Sequence, residues 1–262
     1  CRRQRQMCIR DSTGTTKNID GIIDGVADNE GTVNFEGVTE VDEAMGGANH
    51  LKLINVATAK SADMNAAVNA TAFTTTGTGT ANFDGAVGVD TITNNGTITV
   101  ASTIDNEAAD GDAAIVMNSS TSVLNFNGST ALEYDVVITA TTDGEGTINF
   151  IDSADGANST NTTAGGDIGA NGKKIGAINI GSATKAGNLT TINGDAIFAS
   201  TVTLTGGNVA AEDSILDLHE NIGDANDTVA IELADNTGDA ELLVGTASTV
   251  FGTIDGNSGT AG

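Results

Sequence analysis

One short phrase recurs along this chain and limits the folds that it can adopt. It reads GTVNFEG around Phe35, GTANFDG around Phe83, SVLNFNG around Phe126 and GTINFID around Phe150, and the variant GAINIGS places Ile180 in the same position. Apolar and polar residues alternate within each copy, which is the pattern of a β-strand with one buried face. The glycines at its ends break the strand. Recurrence at intervals compatible with a unit of roughly 20–30 residues indicates a solenoid.

More strand candidates lie between and after these copies, and from Thr201 onward they begin every ~9–14 residues, which leaves no room for helices. They are Thr97–Val100, Tyr134–Thr141, Thr201–Gly206, Ser214–Glu220, Thr228–Asp235, Ala240–Gly245 and Thr249–Asp255. Proline is absent and aromatic residues make up 3% of the chain, whereas sandwiches and barrels usually bury large aromatics and use proline in loops. The predicted fold is therefore all-β, a parallel β-helix (β-solenoid), as a fragment without its caps.

The solenoid interpretation also assigns directions to the side chains. Coils stack ~4.8 Å apart, so we expect Phe126, Phe150 and Ile180 to point inward on successive or near-successive turns, in apolar columns. Outward Thr and Asn are expected to form ladders of like residues. One segment is predicted differently: the alanine-rich Ser61–Phe73 is expected to form a short helix.

The first twelve residues, CRRQRQMCIRDS, contain every Arg and both Cys of the chain. A secretory signal would need an apolar run of ~7–15 residues, which this segment lacks, and a basic arm is unexpected in a chain that otherwise uses no Arg. Arg2–Ser12 match, residue for residue, the translation of a transposon adapter used in preparing sequencing libraries. We therefore interpret residues 1–12 as a non-native, adapter-derived segment and residues 13–262 as the β-solenoid repeat region.

The adapter interpretation leads to two expectations. The natural N-terminus and any signal peptide are expected to be missing, and the C-terminal GNSGTAG is expected to be a second cut. Residues 1–12 are also expected to make few contacts and to join no strand of the repeat.

The charge of the chain excludes several classes of partner. It carries 35 acidic residues against 10 Lys and Arg, a formal net charge of −25. Such acidity argues against nucleic acid and anionic membrane surfaces, which basic patches recognise. No apolar run approaches the ~18 residues of a membrane helix, so no membrane insertion by this segment is predicted. High charge with few aromatics is also typical of disorder, but disordered chains lack the alternating Val, Ile, Leu and Phe blocks of this one.

A longer stretch, Gly166–Ala210, contains two further sequence patterns, in which x stands for any residue. The residues that match the first, IGxxxKxIGxINIG, are Ile168, Gly169, Lys173, Ile175, Gly176, Ile178, Ile180 and Gly181. The second, TxINGDIxA, is matched by Ile192, Asn193, Gly194 and Asp195, with Ala196 as a departure, and a TVTLTGG strand follows.

This stretch resembles the passenger-region repeats of bacterial autotransporter surface antigens, especially the rickettsial-type outer membrane antigens. The resemblance implies a β-helical passenger exported to the bacterial cell surface or secreted, which acts in adhesion or as a surface coat. Its partners would be a host-cell or matrix surface, or neighbouring surface-layer chains. The function predicted on this basis is structural or adhesive and not enzymatic.

The alternative is a β-helical enzyme acting on extracellular polysaccharide. Only two histidines exist, and His219 lies two residues after Asp217, so both side chains should point outward from one strand face. They are interpreted as exposed strand residues, and His50 as a turn residue. A groove with two or more carboxylates facing one Lys would favour the enzyme, whereas a uniform Thr and Asn surface would favour an adhesin or a coat.

Two acid-rich segments are the candidate metal sites. GDANDTV contains Asp224 and Asp227, and ADNTGDAE contains Asp235 and Asp239. Oxygen-rich turns of this kind can ligate Ca²⁺, but Asp, Asn and Gly are also the ordinary residues of turns. We interpret these segments as turns that bind Ca²⁺ weakly if at all, and predict no cofactor. The glycine-rich GANGKK, Gly169–Lys174, lacks the spacing of a phosphate-binding loop and is interpreted as a loop.

The acidity predicts a general response to cations. Residues 13–262 hold six Lys and 34 acidic residues, and stacked carboxylates within a Debye length of ~10 Å at 0.1 M salt repel one another. We expect Ca²⁺ to raise the melting temperature, and Mg²⁺ or NaCl to produce much of the same increase. A variant with Asp224, Asp227, Asp235 and Asp239 changed to Asn is the control. An effect at micromolar Ca²⁺ that this variant loses and Mg²⁺ cannot reproduce would instead show a true metal site.

Overall fold

A computed structural model describes residues 6–9, 17–105, 113–127, 132–151, 159–164, 166–184, 188–192, 196–208, 213–234 and 236–257 of the chain. In this part the secondary structure consists of β-strands and turns, without a helix. No helix there could therefore span a membrane. The predicted all-β class is confirmed.

The strands form two long sheets and one short one. The first sheet contains β1 (Gln6–Ile9), β3 (Glu30–Phe35), β5 (Leu51–Val56), β7 (Val68–Thr75), β9 (Val87–Asn94), β11 (Ile104–Asp105), β12 (Ala113–Met117), β14 (Leu132–Ala140), β16 (Ser159–Ala164), β18 (Asn188–Ile192), β21 (Ser214–Leu218) and β24 (Ala240–Val244). The second contains β2 (Lys17–Ile19), β4 (Val38–Val41), β6 (Ser61–Met64), β8 (Thr80–Phe83), β10 (Thr97–Val100), β13 (Val123–Phe126), β15 (Glu145–Phe150), β17 (Ile175–Ile180), β20 (Ala199–Thr205), β23 (Val229–Ala234) and β25 (Gly252–Asn257). The short sheet pairs β19 (Ala196–Ile197) with β22 (Asn221–Ile222).

The chain alternates between the two long sheets, and each coil stacks on the previous one. Every ladder between the named strands is parallel, for example β13 with β15 and β15 with β17. The second sheet has 11 strands, each from a different coil. An antiparallel pairing of most neighbouring strands would have contradicted the solenoid, and the described strands show none. The predicted parallel β-solenoid is confirmed.

The inward side chains form continuous columns between the sheets. Phe126, Phe150 and Ile180 occupy one column on three successive rungs and are fully buried, as predicted. The rings of Phe126 and Phe150 are stacked, with centroids 4.9 Å apart. A second column is formed by Val33, Ile54, Phe73, Ile92, Ile115, Ile138, Ile168, Ile197 and Ile222. Because the columns run through successive coils, the solenoid has one continuous core.

The predicted helix over Ser61–Phe73 is wrong. The segment forms β6 and most of β7, because its apolar residues alternate with polar ones at the period of a strand. Ala62 lies in register with Ala81 of the next coil, and both are fully buried. The packing of these side chains against the neighbouring coils outweighs the intrinsic preference of alanine for helix.

The first copy of the recurring phrase lies in a different sheet from the others. Phe35 belongs to β3 of the first sheet and stacks on Val56, whereas Phe83, Phe126 and Phe150 belong to the second sheet. The phrase therefore specifies a strand with an inward aromatic residue. The sheet in which that strand lies depends on the lengths of the intervening turns.

The expectation that residues 1–12 join no strand is wrong for Gln6–Ile9. Their backbone pairs with β3 in parallel, from Gln6 opposite Thr32 to Ile9 opposite Phe35. The outer edge of a sheet presents unpaired backbone N–H and C=O groups, which accept any extended segment whatever its side chains. This pairing therefore leaves the origin of residues 1–12 open, and the adapter interpretation stays a prediction. Burial of Met7 and Ile9 in the apolar core would count against the adapter interpretation, but these two side chains lie outside the part of the chain that the structure describes.

The aromatic column predicts a large, local effect of truncation. Changing Phe150 to Ala removes a ring packed between two coils, and we expect it to lower the free energy of unfolding by ~3–5 kcal/mol. Thr147 lies outward on the same strand, so Thr147→Ala should change it by no more than ~0.5 kcal/mol. Urea denaturation followed by circular dichroism measures both. Equal effects of the two variants would contradict the inward assignment of Phe150.

Candidate functional site

The most convergent group of polar residues lies at one corner of the solenoid, where the chain enters the second sheet. It is formed by the turns before β15, β17 and β23, and we call it the acidic corner: Asp143, Asn171, Gly172, Lys174, Asp224 and Asp227. The turn of the intervening coil, before β20, is shorter, so the turns before β17 and β23 meet across it. Gly172 has a φ of 71°, a left-handed conformation that glycine adopts without strain.

Asp224 organises its own turn. One carboxylate oxygen, Oδ1, accepts hydrogen bonds from the backbone N–H groups of Asn226 (2.6 Å) and Asp227 (2.8 Å). This is the local Asp-to-backbone pattern that favours Asp in turns. The other oxygen, Oδ2, accepts from the side-chain amide of Asn171 at 2.6 Å. Asp224 thus connects two turns that are 53 residues apart in sequence.

Asp227 binds the loop GANGKK, which the sequence indicated only as a loop. Its Oδ2 accepts from the backbone N–H of Gly172 at 2.7 Å, and its Oδ1 accepts from Nζ of Lys174 at 3.1 Å. The Asp227 side chain is only 14% exposed and that of Lys174 20%. Lys174 also lies 3.9 Å from Oδ2 of Asp143, whose Oδ1 accepts from the Lys174 backbone N–H at 2.8 Å. One ammonium group therefore faces two carboxylates.

The electrostatics of the acidic corner favour the charged forms of its residues. Hydrogen bonding to Asp227 raises the pKa of Lys174 above its ordinary value. The Gly172 N–H, followed by Lys174, lowers the pKa of Asp227, and the N–H groups of Asp227 and Asn226 lower that of Asp224. General acid–base catalysis needs a pKa close to the working pH. These shifts move the pKa values away from neutrality, so the chemistry supported by the group is a permanent ion pair.

The fold places the described candidate metal ligands at two different corners of the solenoid. Asp224 and Asp227 lie in the acidic corner, where backbone N–H groups, Asn171 and Lys174 already bind their oxygens. Asp239 lies at the other corner, between β23 and β24, where its N–H donates to Asp213 at 2.9 Å. Asp235 lies outside the described residues. Among the residues that are described, no three His, Cys, Asp or Glu side chains are grouped to hold a metal. Weak Ca²⁺ binding stays a prediction.

The two histidines lie apart from the acidic corner. Nε2 of His219 is 3.3 Å from Oδ2 of Asp217, so the two side chains meet on the outer face as their spacing predicted. The His219 side chain is exposed, at 55%, and that of Asp217 is half-buried, at 34%. The backbone N–H of His50 donates to Asp28 at 3.2 Å in a turn.

Comparisons with protein-family models, with curated proteins and with solved structures found no match.

The residues of the acidic corner that sequence reasoning missed are Asp143, Asn171 and Lys174. Their one signal was that GANGKK holds two of the six Lys that follow residue 12. Their hydrogen-bond partners lie one or two coils away, and no local sequence pattern indicates which residues of different coils will meet.

The acidic corner predicts a pH-dependent effect of one substitution. Asp227→Asn should lower the melting temperature at pH 7, because it removes the charge that Gly172 and Lys174 bind. A lowered carboxyl pKa stabilises the fold above the unfolded-state value, near 3.8, and this stabilisation is lost as the pH falls through the folded-state pKa. The difference from wild type should therefore shrink as the pH falls below 3.8.

Calorimetric melting from pH 2 to pH 8 measures this difference. The matched control is Asp255→Asn, which removes the same charge from an exposed position in β25. Lys174→Met should lower the melting temperature at pH 7, and adding Asp227→Asn to it should have a smaller further effect than in wild type. Additive effects of the two substitutions would show that the ion pair contributes nothing.

Proposed function

We propose that this chain is a non-catalytic repeat protein that bacteria display on the cell surface or secrete, with a structural and adhesive role. The observation that carries the proposal is the unbroken stack of coils. The strands of the second sheet stack in 11 rungs, so the described chain forms a continuous rod with extended outer faces. Such a rod can hold a binding surface away from the cell and repeat the same contact along its length.

The chemistry of the polar residues supports a binding role over catalysis. The acidic corner is held together as an ion pair, and Asn125, Asn149 and Asn179 bond to one another in a ladder along the outer face. The resemblance of Gly166–Ala210 to autotransporter passenger repeats also supports a binding role. On this proposal the partners are a host-cell or matrix surface, or neighbouring surface-layer chains.

A second candidate is a β-helical enzyme acting on extracellular polysaccharide. The observation that favours it is Lys174, which faces Asp143 and Asp227 as an active site of this kind would require. The cluster lies on a corner, however, and its pKa shifts stabilise the ionised pair. Release of reducing sugar from polysaccharides by wild type, and its loss in Lys174→Met, would establish the enzyme and overturn the non-catalytic proposal.

The adhesive proposal predicts that the folded chain alone confers attachment. Beads carrying the chain should be retained on cultured epithelial cells, on collagen matrix or on surfaces coated with the chain itself. We expect retention about tenfold or more above control beads, because many copies on one bead convert weak contacts into avidity. The control beads carry an unrelated acidic protein of similar net charge. Equal retention of both kinds of bead on all three surfaces would contradict an adhesive role.

A further inference from the structure

The outer face of the second sheet carries a long region without charge. On six successive rungs, β8, β10, β13, β15, β17 and β20, each strand places two half-buried, uncharged side chains in two adjoining outward columns; the charged Glu145 lies beside them, at the start of β15. We call these twelve residues the neutral strip: Thr80, Asn82, Thr97, Thr99, Val123, Asn125, Thr147, Asn149, Ala177, Asn179, Thr201 and Thr203. None is charged, although the chain carries a net charge of −25.

The neutrality of this strip is not a requirement of stacking. In the same outward column, Glu40 lies directly opposite Asp63 at one end of the strip, and Glu232 lies opposite Asp255 at the other. Carboxylates on adjacent rungs are therefore compatible with this fold. Their absence from the six rungs between these pairs requires another explanation, and contact with a neutral partner supplies one.

The two columns of the neutral strip differ in chemistry. Every member of the first column bears a methyl group, since it is Thr, Val or Ala. Every member of the second is an Asn or Thr that can form hydrogen bonds. The strip therefore offers a row of methyl groups beside a row of amides and hydroxyls. Its six rungs span ~24 Å at the ~4.8 Å spacing of parallel strands.

The amides of the second column are already oriented for binding. Nδ2 of Asn149 donates to Oδ1 of Asn125, and Nδ2 of Asn179 donates to Oδ1 of Asn149, both at 2.8 Å. A side-chain amide has two N–H donors and two acceptor positions, so Asn149 keeps one of each beyond the ladder. Because the ladder holds the amide planes in place, a ligand would not have to order them, and binding costs less conformational entropy.

We propose that the neutral strip binds a neutral, hydroxyl-rich polysaccharide, which lies along the columns. This inference rests on the adhesive role proposed above and names its ligand. Sugar hydroxyls both donate and accept, which suits the remaining amide groups, and the C–H faces of sugar rings pack on methyl groups. The acidic residues at both ends repel anionic polymers. A repeating polymer forms the same contact at each rung, so weak contacts sum.

The test is co-sedimentation of the whole chain with insoluble cellulose, chitin and the anionic polysaccharide alginate as a calcium gel. We expect binding to cellulose or chitin and none to alginate. This binding should be nearly unchanged between low and high NaCl, since screening acts on charges. Thr147→Glu with Thr201→Glu should weaken it about tenfold or more, because each variant side chain places an uncompensated charge under a neutral ligand.

The matched control is Thr93→Glu with Thr139→Glu, which adds the same charge to outward positions of the first sheet. It should leave binding within about twofold of wild type, since it lies on another face. Melting curves establish that both double variants fold. Light scattering reports the oligomeric state: a dimer that only the strip variant disrupts would make the strip an interface between copies and overturn the proposal.

The outcomes also separate this inference from the adhesive role. Beads that attach to cells or matrix while the chain binds neither cellulose nor chitin would overturn the polysaccharide inference and leave adhesion standing. Binding that both double variants lose equally would also overturn it, because the neutral strip would then have no special part. Absence of attachment and of polysaccharide binding together would contradict both.

Discussion

In-register parallel stacking of successive coils is the constraint on which the rest of this structure depends. Each strand hydrogen-bonds to the coil before it and the coil after it, so every position of the cross-section becomes a column with a step of ~4.8 Å. Each side chain then has its nearest neighbours in the same column, one coil before it and one coil after it. Phe126 packs on Phe150, Ala62 lies opposite Ala81, and Asn149 bonds to Asn125 and Asn179. The core is narrow as a result, and its stability comes from contacts between neighbouring coils.

The same constraint extends to polar residues inside the stack. Thr75 and Asn94 are fully buried at column positions where apolar residues are expected. Oγ1 of Thr75 donates to Oδ1 of Asn94 at 3.0 Å, and Nδ2 of Asn94 donates to the carbonyl of Val123 at 2.8 Å. The N–H of Gly96 donates to both side-chain oxygens. Because the bonds run from coil to coil, burial leaves no strong donor or acceptor of this pair unsatisfied.

Sequence reasoning succeeded where the signal is local and failed where it depends on coil length. The alternation around Phe126 and Phe150 predicted strand, inward direction and parallel stacking. Alternation was also present in Ser61–Phe73, where a preference of alanine for helix was given too much weight. The acidic corner could not be predicted, because Lys174 and Asp227 meet only where the intervening turn is short. Turn length decides which residues are neighbours, and a single sequence does not encode it in any simple pattern.

A fold built from repetition also favours some functions over others. An enzyme needs different groups that converge on one reacting atom, whereas stacked coils place similar groups in parallel rows. In the described chain the residues that do converge, around Lys174, bond to one another, and their pKa values shift away from neutrality. The repeated groups, by contrast, keep donors and acceptors directed outward over six rungs. Repetition of weak, identical contacts is the way in which a surface binds a polymer or another surface. The physics of the stack therefore supports the proposal of an adhesive role for this chain.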